Sequence, residues 1–136
     1  MPKSKTPSLP PDLLLGPLPV DAINRTLGHD LAPGDVIFTG AAQAHAFKHH
    51  QAEFQKCLPH VGATVGKPDF LGDDFKNVGK IELIARVPAL GGGLLVALII
   101  EPDANGCYGV ASCYPISQKK IEGRREKGYV QIPKWK

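Results

Sequence analysis

Three hydrophobic runs in the second half of the chain show the clearest pattern. Lys80 to Val87 alternates apolar and polar residues, which is typical of a half-buried strand. Leu94 to Ile100 is apolar throughout, which predicts a central strand buried on both faces. Tyr108 to Tyr114 predicts a third strand. Glycines at 91–93 and the Asp-Ala-Asn-Gly turn at 103–106 connect the runs, so the pattern predicts an antiparallel meander.

Helical periodicity precedes these strands. Ala41 to Leu58 is the clearest helical stretch, and three of its side chains recur at the spacing of a core-facing stripe: Phe47, Phe54 and Leu58. Pro59 ends or kinks this helix. Val20 to Leu27 predicts a shorter helix that Gly28 terminates. We therefore expect the helices to precede the sheet.

A short basic helix and one further strand are predicted near the C-terminus. Pro115 ends the third strand, and Ser117 has the side chain of an N-cap for a helix over Gln118 to Lys127. Gly128 ends that helix, and Tyr129 to Ile132 predicts the last strand. The predicted fold class is α+β, with N-terminal helices followed by a three- to four-stranded antiparallel sheet and the basic helix placed before the last strand.

Proline content indicates how the chain is divided. Residues 1–19 contain six prolines, which block helix formation and favour an extended arm. A turn at 32–35 precedes a short strand or extended entry at 36–38. With 136 residues, the chain has the length of one domain. We expect residues 1–34 to form a proline-rich N-terminal arm and residues 35–136 to form the folded domain.

Charge is unevenly distributed along the chain. The net charge of +3 combines +5 over residues 117–136, where seven Lys and Arg face two Glu, with −2 over residues 1–116. A segregated basic end indicates an anionic partner. A solvated helix followed by a tail accounts for the charge equally well.

The cysteines and the apolar runs bear on the cellular environment. Cys57, Cys107 and Cys113 lack the spacing of a zinc site, and an odd number without a secretion signal fits free thiols in a reducing compartment. They are expected to be small core residues. The longest apolar run, 93–100, is too short to span a bilayer. We expect a cytoplasmic protein with no membrane partner.

Two histidines one helical turn apart are the first candidates for chemistry. His45 and His49 share a helix face, with Lys48 at its edge. Imidazoles transfer protons near neutral pH, and two surface histidines without a role are the simpler alternative. Such a pair can also bind zinc, but the HExxH motif needs a glutamate where this chain has Ala46. We therefore expect neither a metal nor another cofactor.

Hydroxyls and cations near the C-terminus are the second group of candidates. The strand-to-helix stretch supplies the hydroxyls of Ser112, Tyr114 and Ser117, and a helix N-terminus with free N–H groups favours phosphate. Helix capping by Ser117 and packing of Tyr114 are the structural alternatives. Glu82 is either a general base or an ion-pair partner, and the structural role is favoured. The basic helix adds the densest positive patch of the chain, which is otherwise an ordinary solvated face: Lys119, Lys120, Arg124 and Arg125.

Together these residues fit metal-independent cleavage of RNA. That reaction needs a base for the ribose 2′-OH, cations for the phosphorane and an acid for the leaving 5′ oxygen, and it produces a 2′,3′-cyclic phosphate. The imidazoles would transfer protons, the cations would stabilise the phosphate and the hydroxyls would position it. The side chains assigned to catalysis are His45, His49, Lys120, Ser112 and Tyr114, and those assigned to substrate binding are Lys48, Ser117, Lys119, Arg124 and Arg125.

Residues from about 35 to 132 resemble the phage-associated nuclease-like domains of the Barnase–EndoU–colicin–RelE group. The resemblance implies two N-terminal helices, a four-stranded antiparallel sheet and metal-independent RNase activity. It maps the group's helix histidine to His45, its third-strand hydroxyl to Ser112 and its basic helix residue to Lys120. The stretches that carry it are His45-Ala46-Phe47-Lys48-His49-His50, then Gly79-Lys80-Ile81-Glu82-Leu83 after Pro68-Asp69, and Val110-Ala111-Ser112-Cys113-Tyr114-Pro115-Ile116-Ser117 followed by Lys119-Lys120-Ile121 and Arg124-Arg125.

The expected function is that of an endoribonuclease acting as a toxin or a phage effector. Its expected partners are RNA, tRNA included, and an antitoxin or immunity protein, and association with a virion is a second expected location. A non-catalytic nuclease-fold module that binds RNA or a partner protein is the alternative, which the mild net charge and the aromatic content of 7% favour. A third hypothesis, an ADP-ribosyltransferase, has only the phage context behind it.

Overall fold

The computed structural model of the protein describes residues 9–49, 51–73 and 78–136. A short 3-10 turn, Pro88–Leu90, joins two of its strands. The strands and α-helices of these residues are, in chain order, β1 Leu13–Pro17, α1 Val20–Leu27, β2 Asp35–Phe38, α2 Gly40–His49, α3 Gln51–Gly66, β3 Phe70–Asp73, β4 Lys80–Val87, β5 Gly92–Ile99, β6 Tyr108–Ser117 and α4 Gln118–Glu126.

All six strands belong to one mixed sheet in the order β1-β2-β6-β5-β4-β3. Neighbouring strands are antiparallel except β2 and β6, which are parallel. The predicted α+β class is confirmed. The predicted three- to four-stranded antiparallel sheet is wrong, because the antiparallel strands β3 to β6 are extended by β2 and β1 on one side.

The strands that the sequence pattern missed are short and lie at the margins of the sheet. β1 falls in the proline-rich segment and pairs Leu13 with Phe38, and its last residue is Pro17. An edge strand tolerates proline because its outer N–H groups need no partner. β3 has only four residues, too few to show a period. The helices therefore do not simply precede the sheet, since β1 comes before α1.

The predicted last strand over Tyr129–Ile132 is also wrong. Only one bridge forms there, between Gln131 and Leu71 of β3, whose backbone groups exchange two hydrogen bonds of 2.8 Å. The C-terminal segment then leaves the sheet and lies against α1. Arg25 donates from Nε to the carbonyl oxygen of Lys134 at 2.9 Å and from Nη2 to that of Trp135 at 2.6 Å.

The helical stretch predicted over 41–58 is divided into α2 and α3, with residue 50 outside the described residues. Pro59 does not end α3, which continues to Gly66. A proline in a helix interior removes one backbone hydrogen bond. Burial of Val61 and Val65 on the far side of the proline compensates for that loss. The predicted apolar stripe is confirmed: Phe54 is buried, and Phe47 and Leu58 pack partly buried against the core.

Two apolar clusters cover opposite faces of the sheet, because side chains alternate along each strand. The larger lies under α1, α2 and α3 and contains Leu94 and Val96 of β5. The smaller lies under α4 and contains Leu95 and Ala97 of the same strand, together with Ile121 of α4. The prediction that this strand is buried on both faces is confirmed. We call the two sides of the sheet the α3 face and the α4 face.

The predicted helix Val20–Leu27 is confirmed as α1, which Gly28 ends in the left-handed region at φ 76°. Leu18 and Ile23 are buried in the larger cluster, so this part of the proposed arm packs on the domain. Residues 1–8 of that arm lie outside the described residues. The division of the chain at residue 34 stays a prediction.

Candidate functional site

The two imidazoles assigned to catalysis lie side by side on α2. His45 and His49 are exposed, and their ring centroids are 4.4 Å apart with planes inclined by 57°. Lys48 is exposed beside them. α2 packs on the larger cluster through buried Ala46, so the imidazoles point away from the core on the α3 face. His50, the last residue of the run, lies outside the described residues.

The basic helix α4 lies on the other face of the sheet. It packs there through Ile121, which is fully buried in the smaller cluster. The predicted N-cap is confirmed, since Ser117 Oγ accepts a hydrogen bond from the backbone N–H of Lys120 at 3.2 Å. This contact occupies the Ser117 hydroxyl and satisfies one of the free N–H groups of the first turn. The sheet therefore separates the histidine pair from the basic helix, and the two groups do not form one site.

Other residues assigned to the site do converge on the α4 face. Ser112 pairs with Ala97, and Tyr114 with Leu95, so both side chains point to the side on which α4 packs. Arg124 of α4 reaches the same surface, where its Nη1 donates to Oε1 of Glu82 on β4.

One row of residues runs across the α4 face from carboxylate to hydroxyl. Glu82 is paired in register with Ala97, and Ala97 with Ser112. Since adjacent strands lie about 4.8 Å apart, the backbones of Glu82 and Ser112 are separated by roughly 10 Å. Only the methyl group of Ala97 stands between them in this row. The side chain between the carboxylate and the hydroxyl is therefore small, and it is 6% exposed.

Glu82 is a carboxylate in an otherwise apolar layer. The residue is 8% exposed, and its side chain is 11% exposed against 29% for that of Arg124. A buried carboxylate is costly unless it is paired, and an apolar pair of the same size is often at least as stable as a buried ion pair. Charges retained in such places are frequently functional. The predicted ion-pair role of Glu82 is confirmed.

The basic side chains of α4 lie on different sides of the helix. Lys120 and Arg124 are four residues apart and lie on the same flank, from which Arg124 reaches Glu82. Lys119 is two residues before Ile121 and points about 160° away from it, into solvent. Arg125 lies on the opposite flank, where its Nη1 is 3.3 Å from Oε1 of Glu122. The basic residues of this helix therefore do not act as one patch.

A second cationic contact links α4 to the edge of the sheet. The guanidinium carbons of Arg86 and Arg125 each lie 5.2 Å from the ring centroid of Phe70, which is 3% exposed. Cation–π attraction thus holds two like charges close to one ring. Neither Arg86 nor Phe70 was among the predicted site residues. The position of Arg86, in alternation with Glu82 and Ile84 on the same strand, was the available signal.

His29 forms a contact that the sequence did not predict. Its Nε2 lies 2.7 Å from Oδ1 of Asp73, between the loop after α1 and the end of β3. Both side chains are about one-third exposed or less. The two residues are far apart in the chain, so no spacing rule relates them.

The cysteines are thiols with little tendency to ionise. Burial raises the pKa of Cys113 to about 12, and the neighbouring Cys57 adds to the shift. Burial, and then the charge of Glu53, raises the pKa of Cys57. The pKa of the partly exposed Cys107 is also raised, by desolvation and by the carboxylates of Asp103 and Asp35. Cys57 and Cys113 are buried core residues, as expected.

Two features are absent from the described residues. No three His, Cys, Asp or Glu side chains in 9–49, 51–73 and 78–136 are grouped so that they could hold a metal ion. Over the same ranges, no helix has both the length and the apolar character that crossing a bilayer requires.

Comparison with known proteins gives no relative to reason from. No protein-family model, no curated protein and no solved structure matches the chain.

Proposed function

We propose that the protein is a metal-independent endoribonuclease whose reaction takes place on the α4 face. The observation that carries this proposal is the ion pair of Glu82 and Arg124 in the same row as Ser112. It supplies a base, a cation and a hydroxyl on one face of the sheet. The sequence resemblance to metal-independent nuclease domains supports the same activity. Of the three residues that it maps, Ser112 and Lys120 belong to β6 and α4, whereas His45 lies on the α3 face.

The proposed chemistry begins at Glu82. Its carboxylate accepts the proton of the ribose 2′-OH, and the 2′ oxygen attacks phosphorus. Protonation removes the charge that held Arg124, so the guanidinium becomes available to the phosphorane as its negative charge increases. Lys120, on the same flank of α4, adds a second cation.

The bond from phosphorus to the 5′ oxygen then breaks. The Tyr114 hydroxyl gives its proton to that oxygen, and Ser112 donates a hydrogen bond to the phosphate. The products are a 2′,3′-cyclic phosphate and a 5′-hydroxyl. Proton transfer from Glu82 back to the tyrosine through water restores the starting state.

Cleavage of RNA in excess EDTA, with mapping of the fragment ends, tests this assignment. Glu82→Gln keeps the shape of the side chain and removes the base, so we expect cleavage to fall by about 10²-fold or more. Glu122→Gln makes the same change on the exposed surface of α4 and should retain activity. Lys120→Ala should lower cleavage more than Lys119→Ala, which removes the same charge from the solvent side. Equal activity of Glu82→Gln and Glu122→Gln would contradict the proposal.

The second candidate function is a module that binds RNA without cleaving it. The separation of the histidine pair from α4 favours it, because the imidazoles assigned to proton transfer do not meet the cations assigned to phosphate. Intact RNA with salt-dependent affinity for the protein would support this candidate against the first.

A further inference from the structure

A cleft lies at the edge of the sheet, between the C-terminal part of α3 and the end of β4. Its volume is about 470 Å³, and it is open to solvent. Half of the residues that line it are apolar, and the polar ones are His60, Thr64, Lys67, Asp69 and Arg86. None of them belongs to the site proposed above.

The cleft exists because two neighbouring strands differ in length. β3 begins at Phe70, opposite Ile84, whereas β4 continues to Val87. The carboxylate of Asp69 takes the place of a strand partner, since its Oδ2 accepts the backbone N–H of Arg86 at 2.7 Å. The edge of β4 is thereby closed to strand pairing, and α3 forms the opposite wall.

Two cationic residues are among those that line the cleft. Lys67 and Arg86 are both exposed, and His60 is half-buried beside them. The acidic group, Asp69, is engaged by a backbone N–H. The Thr64 hydroxyl donates to the carbonyl oxygen of His60 at 2.8 Å and fixes the last turns of α3.

Arg86 connects this cleft to α4. Its guanidinium stacks on Phe70, and Arg125 stacks on the same ring. Cations therefore follow one another from Arg125 over Phe70 to Arg86 and Lys67. We call this series the edge track. It begins beside the proposed reaction site and passes around the sheet edge to α3.

We infer that the edge track binds the backbone phosphates of the RNA segment that flanks the scissile bond. This inference rests on the proposed function and specifies its substrate: a single-stranded RNA long enough to extend from the α4 face to the cleft. Continuity with the reaction site favours RNA over another polyanion. Phe70 is buried beneath the two guanidinium groups, so its ring is not available to stack on bases. Binding along the track should therefore not depend on the RNA sequence.

Binding of an RNA that cannot be cleaved tests the track directly. The probe is a fluorescein-labelled 2′-O-methyl oligoribonucleotide, twenty residues long, followed by anisotropy over a range of salt concentrations. We expect Lys67→Gln/Arg86→Gln to bind it about tenfold more weakly, and the slope of log K against log salt to fall by about 1.4, which corresponds to two lost phosphate contacts on a single strand. Lys134→Gln/Lys136→Gln removes two exposed charges from the C-terminal segment and should change neither quantity.

Arg86 also packs on Phe70, so the single variant Lys67→Gln separates binding from stability. It should show about half of the change in slope with an unchanged urea midpoint. In cleavage assays the double variant should raise KM for the long RNA and leave kcat for a dinucleotide unchanged.

Three outcomes would overturn the inference. Equal affinities of the double variant and its control would show that the track does not contact RNA. A poly-glutamate peptide that binds in competition with RNA, and loses affinity by the same factor in the double variant, would assign the track to an acidic protein. An equal rise in KM for the dinucleotide and the long RNA would place Lys67 and Arg86 at the reaction site. The binding assay does not depend on cleavage, so a protein that cleaves nothing but shows the expected change would overturn the proposed function and support the track.

Discussion

Arg124 of α4 and Glu82 of β4 form an ion pair that joins residues 42 positions apart in the chain. The contact links α4, the only described helix on that face of the sheet, to β4. It also sets a cation and a carboxylate at one end of the row that leads to Ser112. Its contribution to stability and its proposed contribution to chemistry can be measured separately.

The contribution of the ion pair to the stability of the protein can be measured with one single variant and one double variant. Arg124→Met should lower the free energy of unfolding by about 1–3 kcal/mol, because it removes the guanidinium from the poorly solvated carboxylate of Glu82. Glu82→Leu/Arg124→Met should recover most of this loss, since an apolar pair needs no compensation for desolvation. Urea denaturation at neutral pH measures both. A double variant as unstable as the single one would show that Glu82 is satisfied by contacts other than Arg124.

The histidine pair is expected to be dispensable for cleavage. His45→Ala/His49→Ala alters two exposed side chains, so the free energy of unfolding should change by less than about 0.5 kcal/mol. The variant should keep most of its activity on RNA, because the imidazoles and α4 lie on opposite faces of the sheet. A loss of about 10²-fold or more in a folded variant would place general acid–base catalysis on α2 and contradict the α4-face proposal.

Gly72 tests the docking of the C-terminal segment on β3. A Cβ at this position would lie 2.4 Å from the carbonyl oxygen of Tyr129 and 2.9 Å from Cγ1 of Val130. Gly72→Ala should therefore displace the segment and cost about 1–3 kcal/mol.

Gly123 is the matched control for this change. It lies within α4, and a Cβ there meets nothing within 4 Å. Gly123→Ala should stabilise the protein by about 0.5–1 kcal/mol, because alanine loses less conformational entropy in a helix. Thermal unfolding of both variants measures the two changes in stability. If Gly72→Ala left the free energy of unfolding unchanged, the C-terminal segment would be able to move without loss of stability.

Stability at high pH should depend on Cys113. Its pKa is raised from 9.0 in the unfolded chain to about 12 in the folded one by burial and by Cys57. The unfolded chain therefore loses this proton first. The stability that the neutral thiol contributes is complete below pH 9 and is lost progressively as the pH rises towards 12.

Urea denaturation between pH 8 and 11 checks this expectation against Cys113→Ala. The variant should be less stable at pH 8 because a buried side chain is truncated, and its stability should fall less steeply with pH. Parallel pH profiles for the two proteins would exclude a raised pKa at Cys113.

The sequence predicted the elements whose signal is local. The alternation over Lys80–Val87 and the apolar run of β5 predict strands because the pattern is visible within each short stretch of sequence. Ser117 predicted the start of α4, since capping needs only a side chain and an N–H three residues on. The same reasoning failed for β1 and β3, whose pairing depends on partners elsewhere in the chain.

The residue types of the proposed site were also visible in the sequence, but their grouping was not. Ser112, Tyr114, Lys120 and Arg124 were all candidates, and all four come from β6 or from α4, the helix that follows it directly. Glu82 was considered and assigned to an ion pair, and that contact is present. Whether it also acts as a base stays a prediction.

The sequence by itself determined the α+β class, the three long strands and the basic helix, because periodicity and capping are properties of adjacent residues. Only the tertiary structure decided on which face each helix packs. That choice placed His45 and Lys120 on opposite sides of the sheet and brought Arg124 to Glu82. It follows from burial of Ala46 and Ile121 in two separate apolar clusters, which depends on how the whole sheet is ordered rather than on any local pattern.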